Sequence, residues 1–122
     1  MKIIRLADAE RYEPQPGWTR NSLCDEGPLS AEHFIKPPGH ASPLHAHPQA
    51  QLLVVLDGQL VVEAAGSEVV LEPGDSAFFE GGEEHRVRND GQTAASGLDI
   101  FSPGRDFGFW RQRGADDAPR EG

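Results

Sequence analysis

The chain is predicted to be all-β, a sandwich or barrel of short strands. Three observations support this. Ten prolines and fourteen glycines among 122 residues cut the chain into many short pieces. The pieces between the turn signals are rich in Val, Leu, Ile and Phe, and they recur at roughly the eight-to-twelve-residue spacing of sandwiches and barrels. No amphipathic helical pattern interrupts them. The length fits a single domain, able to bury roughly two-thirds of its unfolded surface without staples.

Ile3 to Leu6 reads as a short edge strand, and Pro14-Gln15-Pro16-Gly17 as a break. Trp18 to Cys24 is a weak strand that ends at the turn Asp25-Glu26-Gly27-Pro28. Ser30 to Ile35 is a strand stopped by Pro37-Pro38-Gly39. Gln51 to Leu56 is a strong strand, and Asp57-Gly58 is a tight hairpin signal leading to a partner at Gln59 to Ala64. Ala65-Gly66-Ser67 turns the chain into Glu68 to Leu71, and Glu72-Pro73-Gly74-Asp75 turns it into Ser76 to Phe79. After Gly81-Gly82 come His85 to Arg88, the turn Asn89-Asp90-Gly91, and a last strand at Ala94 to Phe101. This divides the chain into an N-terminal arm (1–28), a barrel (29–110) and a charged, flexible tail (111–122).

Twenty acidic residues against eleven basic ones give a formal charge of −9. That opposes nucleic acids and anionic membranes, which require a basic footprint. It leaves room for a small anionic substrate, because a bound cation inverts the local field. The single cysteine, Cys24, excludes an intrachain disulfide and fits a reducing compartment. The start, MKIIRLADAERYE, has no apolar signal core, and Leu52 to Leu56 is far too short to span a bilayer. The expected location is the cytoplasm.

The chemistry is concentrated between Gly39 and Gly58. His45 and His47 are two residues apart, and Gln51 follows four residues later. In an extended strand these three side chains share a face with Leu53 and Val55, since side chains alternate with a period of two. Two imidazoles and an amide in an apolar interior are costly unless something satisfies them. A divalent transition metal does so, because imidazole suits zinc, copper, iron and nickel. His85 lies downstream and can complete the set.

The frame around these residues reads Gly39, His45-x-His47, Gln51, Gly58 and then Gly74, Glu80-x-Gly82, His85, Asn89. It resembles the paired motifs of the cupin superfamily, over about half the chain. The resemblance implies a double-stranded β-helix, or jelly roll, of roughly six to eight strands. It implies one metal inside (nickel, zinc, iron or manganese) held by His45, His47, Gln51 and His85, and a homodimer paired through its sheets. Two positions depart from the common pattern. Glu80 stands where many members have Pro, which alters a turn. Gln51 stands where many have Glu, which leaves the full +2 charge on the metal and makes it a stronger Lewis acid.

The C-terminal stretch Leu98-Asp99-Ile100-Phe101-Ser102-Pro103-Gly104-Arg105, together with Pro43-Leu44-His45-Ala46-His47-Pro48 and Gln51, narrows the resemblance. It is similar to small single-domain cupins of pectin and alginate breakdown that linearise 4,5-unsaturated uronates. That likeness implies that Asp99 moves a proton, Phe101 shapes the pocket and Arg105 binds the substrate carboxylate. Asp99 also reads as a strand-end carboxylate paired with Arg86, Arg88 or Arg105. The competing functions are a metal-dependent dioxygenase of a small organic substrate and a non-catalytic ligand-binding cupin. His33 reads as a strand-surface residue, His40 as a loop residue and Cys24 as a buried apolar one.

Overall fold

A computed structural model describes residues 1–116, with side chains through residue 112. Two antiparallel sheets face one another. Strands β1 (Arg11–Gln15), β2 (Trp18–Asp25), β3 (Ser30–Lys36), β4 (Ala50–Asp57), β7 (Ser76–Phe79) and β9 (Ala95–Ser102) form the larger, in the order β1-β2-β3-β9-β4-β7. Strands β5 (Leu60–Ala64), β6 (Ser67–Leu71) and β8 (His85–Arg88) form the smaller, in the order β6-β5-β8. This is the double-stranded β-helix architecture. Among the described residues no helix is long and apolar enough to cross a membrane.

The period-two pattern of the sequence is the burial pattern of the fold. In β4, Gln51, Leu53 and Val55 are buried while Leu56 is exposed. Phe34, Leu53, Val55, Leu60, Val62, Leu71, Phe79, Val87 and Ala95 make the core between the sheets. Gly97 occupies an inward position of β9 because a Cβ there would lie 2.4 Å from the Val54 carbonyl oxygen and 2.8 Å from the Phe34 ring. The missing side chain makes room for Phe34.

The N-terminal expectation is corrected in two places. Ile3 to Leu6 is not a strand; a single 3-10 turn covers Leu6–Asp8, and Ile3 and Ile4 are exposed. The break begins later than read: Pro14 and Gln15 end a strand the sequence reading missed, β1, which pairs with β2 through Arg11↔Asn21 and Gln15↔Trp18, and Pro16-Gly17 turn the chain between them. Pro14 is tolerated because β1 is an edge strand, where a missing N–H costs no ladder bond.

The C-terminal expectation is corrected as well. A helix, α1, spans Gly108–Asp116 and overlaps the segment read as a flexible tail. Its start is capped by Asp106, whose Oδ1 accepts from the Gly108 N–H at 2.9 Å. Trp110 and Phe107 bury against Trp18 as a second apolar cluster, with the two indoles edge to face at 5.3 Å. Arg111 pairs with Glu10 beside β1. Residues 117–122 of the expected tail lie outside the described residues.

Candidate metal centre

The histidine pair does not sit in regular strand, as the parity argument assumed. His45 forms an isolated backbone bridge with His85, N–H to O=C in both directions at 3.0 and 2.9 Å. His47 lies in the loop that follows. Its carbonyl accepts from the Gly82 N–H at 2.8 Å. A Cβ on the adjacent Gly81 would lie 2.3 Å from the Pro48 carbonyl oxygen, so glycine lets the two loops touch. The bridge and this contact bring the two motif segments together. His85 is held from behind by Phe79, whose ring stacks on the imidazole at 4.2 Å and 10°.

One ligating nitrogen from each of His45, His47 and His85 lies within 4.8 Å of the others. A small inward movement from that spacing lets one cation gather three nitrogens at ~2.1 Å each. Their chemistry fits. In all three rings Nδ1 lies 2.9 Å from a backbone carbonyl two residues away: Pro43 for His45, Gln49 for His47 and Glu83 for His85. A carbonyl oxygen only accepts, so Nδ1 carries the hydrogen and Nε2 carries the lone pair. Backbone carbonyls that fix tautomer and ring orientation in this way are the usual outer support of ligating histidines.

Gln51 adds a fourth donor. It is fully buried. Its Nε2 donates to Asp99 Oδ1 at 2.8 Å, which leaves Oε1 facing His47 Nε2 at 3.0 Å. Two lone-pair atoms that close repel unless a cation or an additional proton lies between them. A cation satisfies this pair and the other imidazoles at once. The expected ligands His45, His47 and His85 are therefore brought together as a group that could hold a metal ion, with the Gln51 oxygen beside His47.

Asp99 is also fully buried, and it pairs with an arginine that the sequence reading did not name. Its Oδ2 accepts from Arg20 Nη2 at 2.8 Å. Arg20 also donates to Glu32 Oε1 from Nε (3.0 Å) and Nη2 (2.7 Å). The Trp110 indole N–H donates to the same oxygen at 2.8 Å. Burial works against the Arg20 charge, but Glu32 and Asp99 outweigh it and hold the guanidinium more firmly protonated than usual. The ring faces of Phe34 and Trp110 lie 5.3 and 4.7 Å from its carbon. Sequence reasoning missed Arg20 and Glu32. The available signal was parity, since Arg20 shares a face with Trp18 and Glu32 with Phe34.

Phe101 is buried with its ring edge-on to His47 at 5.6 Å, a wall beside the imidazoles. Arg105 is buried over the Phe101 and Phe109 rings at 4.2 and 4.4 Å, with Nη2 at 3.4 Å from Glu32 Oε2. The motif residue Asn89 clamps a turn, donating from Nδ2 to the carbonyls of Lys36 and Thr93. His40 is half-buried, accepting from Lys36 Nζ at 2.6 Å and donating to Gln15 Oε1 at 2.8 Å. Cys24 is only half-buried, against the expectation, with Sγ at 3.5 Å from the Leu29 carbonyl.

A cupin-domain family profile matches residues 32–101, more than half of the chain. The chain belongs to the cupin family. The cupin is 35% identical over 72 residues to the tetracenomycin polyketide synthase protein TcmJ of Streptomyces glaucescens; the match covers 58% of this chain and 48% of that protein, so the cupin spans about half of its relative. It superposes on an RmlC-like cupin from Shewanella frigidimarina with a TM-score of 0.79 and 27% identity, over 86% of this chain and 93% of that one. It superposes on KdgF from Halomonas sp. with a TM-score of 0.80, over 87% of this chain and 96% of that one. At 23% identity the second likeness is one of fold.

Proposed function

We propose that the cupin is a metal-dependent, non-oxidative enzyme that opens the ring of a small unsaturated uronate, giving an open-chain keto acid. The observation that carries this reading is the donor set: three imidazoles and an amide oxygen, with a carboxylate, Asp99, one hydrogen bond behind. A metal held there keeps its full charge and supplies Lewis acidity toward anionic, oxygen-rich ligands. It lacks the carboxylate of the facial triad associated with oxygen-activating iron.

In this reading Asp99 moves the proton between the anomeric hydroxyl and the enol carbon. Each carboxylate oxygen has two lone-pair sites, so Oδ1 can hold the Gln51 N–H and still take a proton. Phe101 closes the wall beside His47 and excludes water. Arg105 supports that wall through its stacking on Phe101 and contributes positive charge toward a substrate carboxylate. The test is the loss of double-bond absorbance of an unsaturated uronate. The native protein accelerates it, a chelator-treated sample does not, and Asp99→Asn lowers the rate about 100-fold. An unchanged rate in Asp99→Asn removes the proton-transfer role.

The likeness to TcmJ, a tetracenomycin polyketide synthase protein, favours a second reading, action on a polyketide chain. Turnover of a poly-β-keto substrate with none of the uronate would select it.

A further inference from the structure

We infer that Asp99 and Arg20 are positioning residues that decide which end of the Gln51 amide faces the imidazoles, and that they are the reason position 51 carries an amide and not a carboxylate. The inference rests on the metal reading of the His45, His47, Gln51 and His85 cluster, and goes beyond it. A glutamine side chain has two ends of nearly equal size and opposite chemistry. Only the oxygen end can serve a metal, and the imidazoles themselves do not choose between the ends. The choice is made from behind, by a chain of contacts each of which permits one orientation.

The chain starts at Glu32, a fully buried carboxylate that takes two donors from Arg20. This aims Arg20 Nη2 at Asp99 Oδ2. A guanidinium only donates, so the atom it meets on residue 99 must accept. Asp99 accepts from it through Oδ2 and presents a second acceptor, Oδ1, to Gln51. Gln51 must answer with its N–H, and its oxygen is left pointing at His47 Nε2. Glu32, Arg20, Asp99 and Gln51 are all buried, so behind the imidazoles no solvent molecule can substitute for a missing donor. The same chain forbids glutamate at 51, which would set two carboxylates within hydrogen-bond distance in a buried site. The negative charge is kept one residue behind the donor set, where Arg20 balances it.

The logic makes two variants behave in opposite ways. In Asp99→Asn, Arg20 still demands an acceptor and takes the Asn oxygen. The Asn N–H then faces Gln51, whose amide turns over and points its own N–H at His47. Zn(II) binding weakens by about 10–100-fold, the range seen when outer partners of metal ligands are lost. In the exchanged pair Gln51→Glu/Asp99→Asn, the Asn N–H meets a Glu oxygen and the other Glu oxygen faces the imidazoles. Every donor again has an acceptor, so this variant folds and recovers Zn(II) affinity to the native level or better.

The experiment is Zn(II) titration against a competing chelator dye, with circular dichroism checking the fold. Loss in Asp99→Asn with recovery in the exchanged pair supports the proposal. Native affinity in a folded Asp99→Asn overturns it, and so does a folded exchanged pair that fails to recover. The exchanged pair decides the matter even where Asp99→Asn alone does not fold. A native protein that binds no Zn(II), Ni(II), Mn(II) or Fe(II) removes the metal reading instead, a separable result.

Discussion

Replacing Arg20 by Met would take away the guanidinium that Glu32 and Asp99 share and leave Glu32 with the longer Arg105 contact. Breaking a buried pair from one side costs about 3–5 kcal/mol, because the charge left behind is uncompensated. The urea midpoint of Arg20→Met should fall by that much at an unchanged slope. His40 gives a second residue-scale prediction. Burial, then Lys36, then Arg20 push its imidazole down to about 4 from the usual 6.5. A base whose folded pKa is lowered binds its proton in the unfolded chain first, so stability is full above about pH 6.5 and drains as pH falls toward 4. His33 is shifted in the same direction, led by burial, and adds to the slope. His40→Gln, with an amide that can still meet Lys36 and Gln15, should flatten the dependence of the urea midpoint on pH between 6.5 and 4.

Among the elements, β9 does the most to shape the site. Its inward positions are Ala95, Gly97, Asp99 and Phe101: room for Phe34, then the carboxylate behind Gln51, then the wall beside His47. Gly97→Ala would force its methyl into the Val54 carbonyl and Phe34, and overpacking of that kind costs about 1–3 kcal/mol, measurable as a lower melting temperature. β9 and β4 were legible in the sequence because alternation in buried strands is a local property, and the motif spacing brought out the histidine triad with Gln51 beside it. Two elements were not. β1 was hidden by Pro14, since nothing local says that a proline lies on an edge. Helix α1 was hidden because Gly108 and Gly114 lower its propensity and, among its described side chains, Trp110 alone is fully buried. Parity placed Arg20 and Glu32 on the faces of Trp18 and Phe34, but that they meet Asp99 was unreadable for a third reason. The Arg20–Glu32–Asp99 chain joins β2, β3 and β9, and their adjacency is a fact of topology. Trp110→Phe tests how far α1 is tied to that chain. It keeps most of the ring and removes the N–H to Glu32, a bond to a charged group worth about 1.5–3 kcal/mol.

At the scale of the whole molecule, the proposed metal ties the sheets together. His85 opens β8 of the smaller sheet, Gln51 lies in β4 of the larger, and His45 and His47 sit in the connection between β3 and β4. Backbone bonds already join the β3–β4 connection to β8 and the turn after it, at His45–His85, Ser42–Val87, Gly39–Asn89 and His40–Asn89, and an ion joining all four side chains would add a side-chain link between β4 of one sheet and β8 of the other. Anything that binds the folded chain and not the unfolded one stabilises it by mass action, about 2.7 kcal/mol at a ligand concentration 100-fold above its dissociation constant. The native protein should therefore melt at a higher temperature with added Zn(II) than after chelation, and the gap should widen with metal concentration. His85→Ala removes one ligand and should close that gap while keeping the fold, since the His45–His85 bridge uses backbone atoms alone. A gap that persists in His85→Ala would place the stabilising ion elsewhere, on the acidic surface that the −9 charge provides. Calorimetry with and without a chelator separates the two.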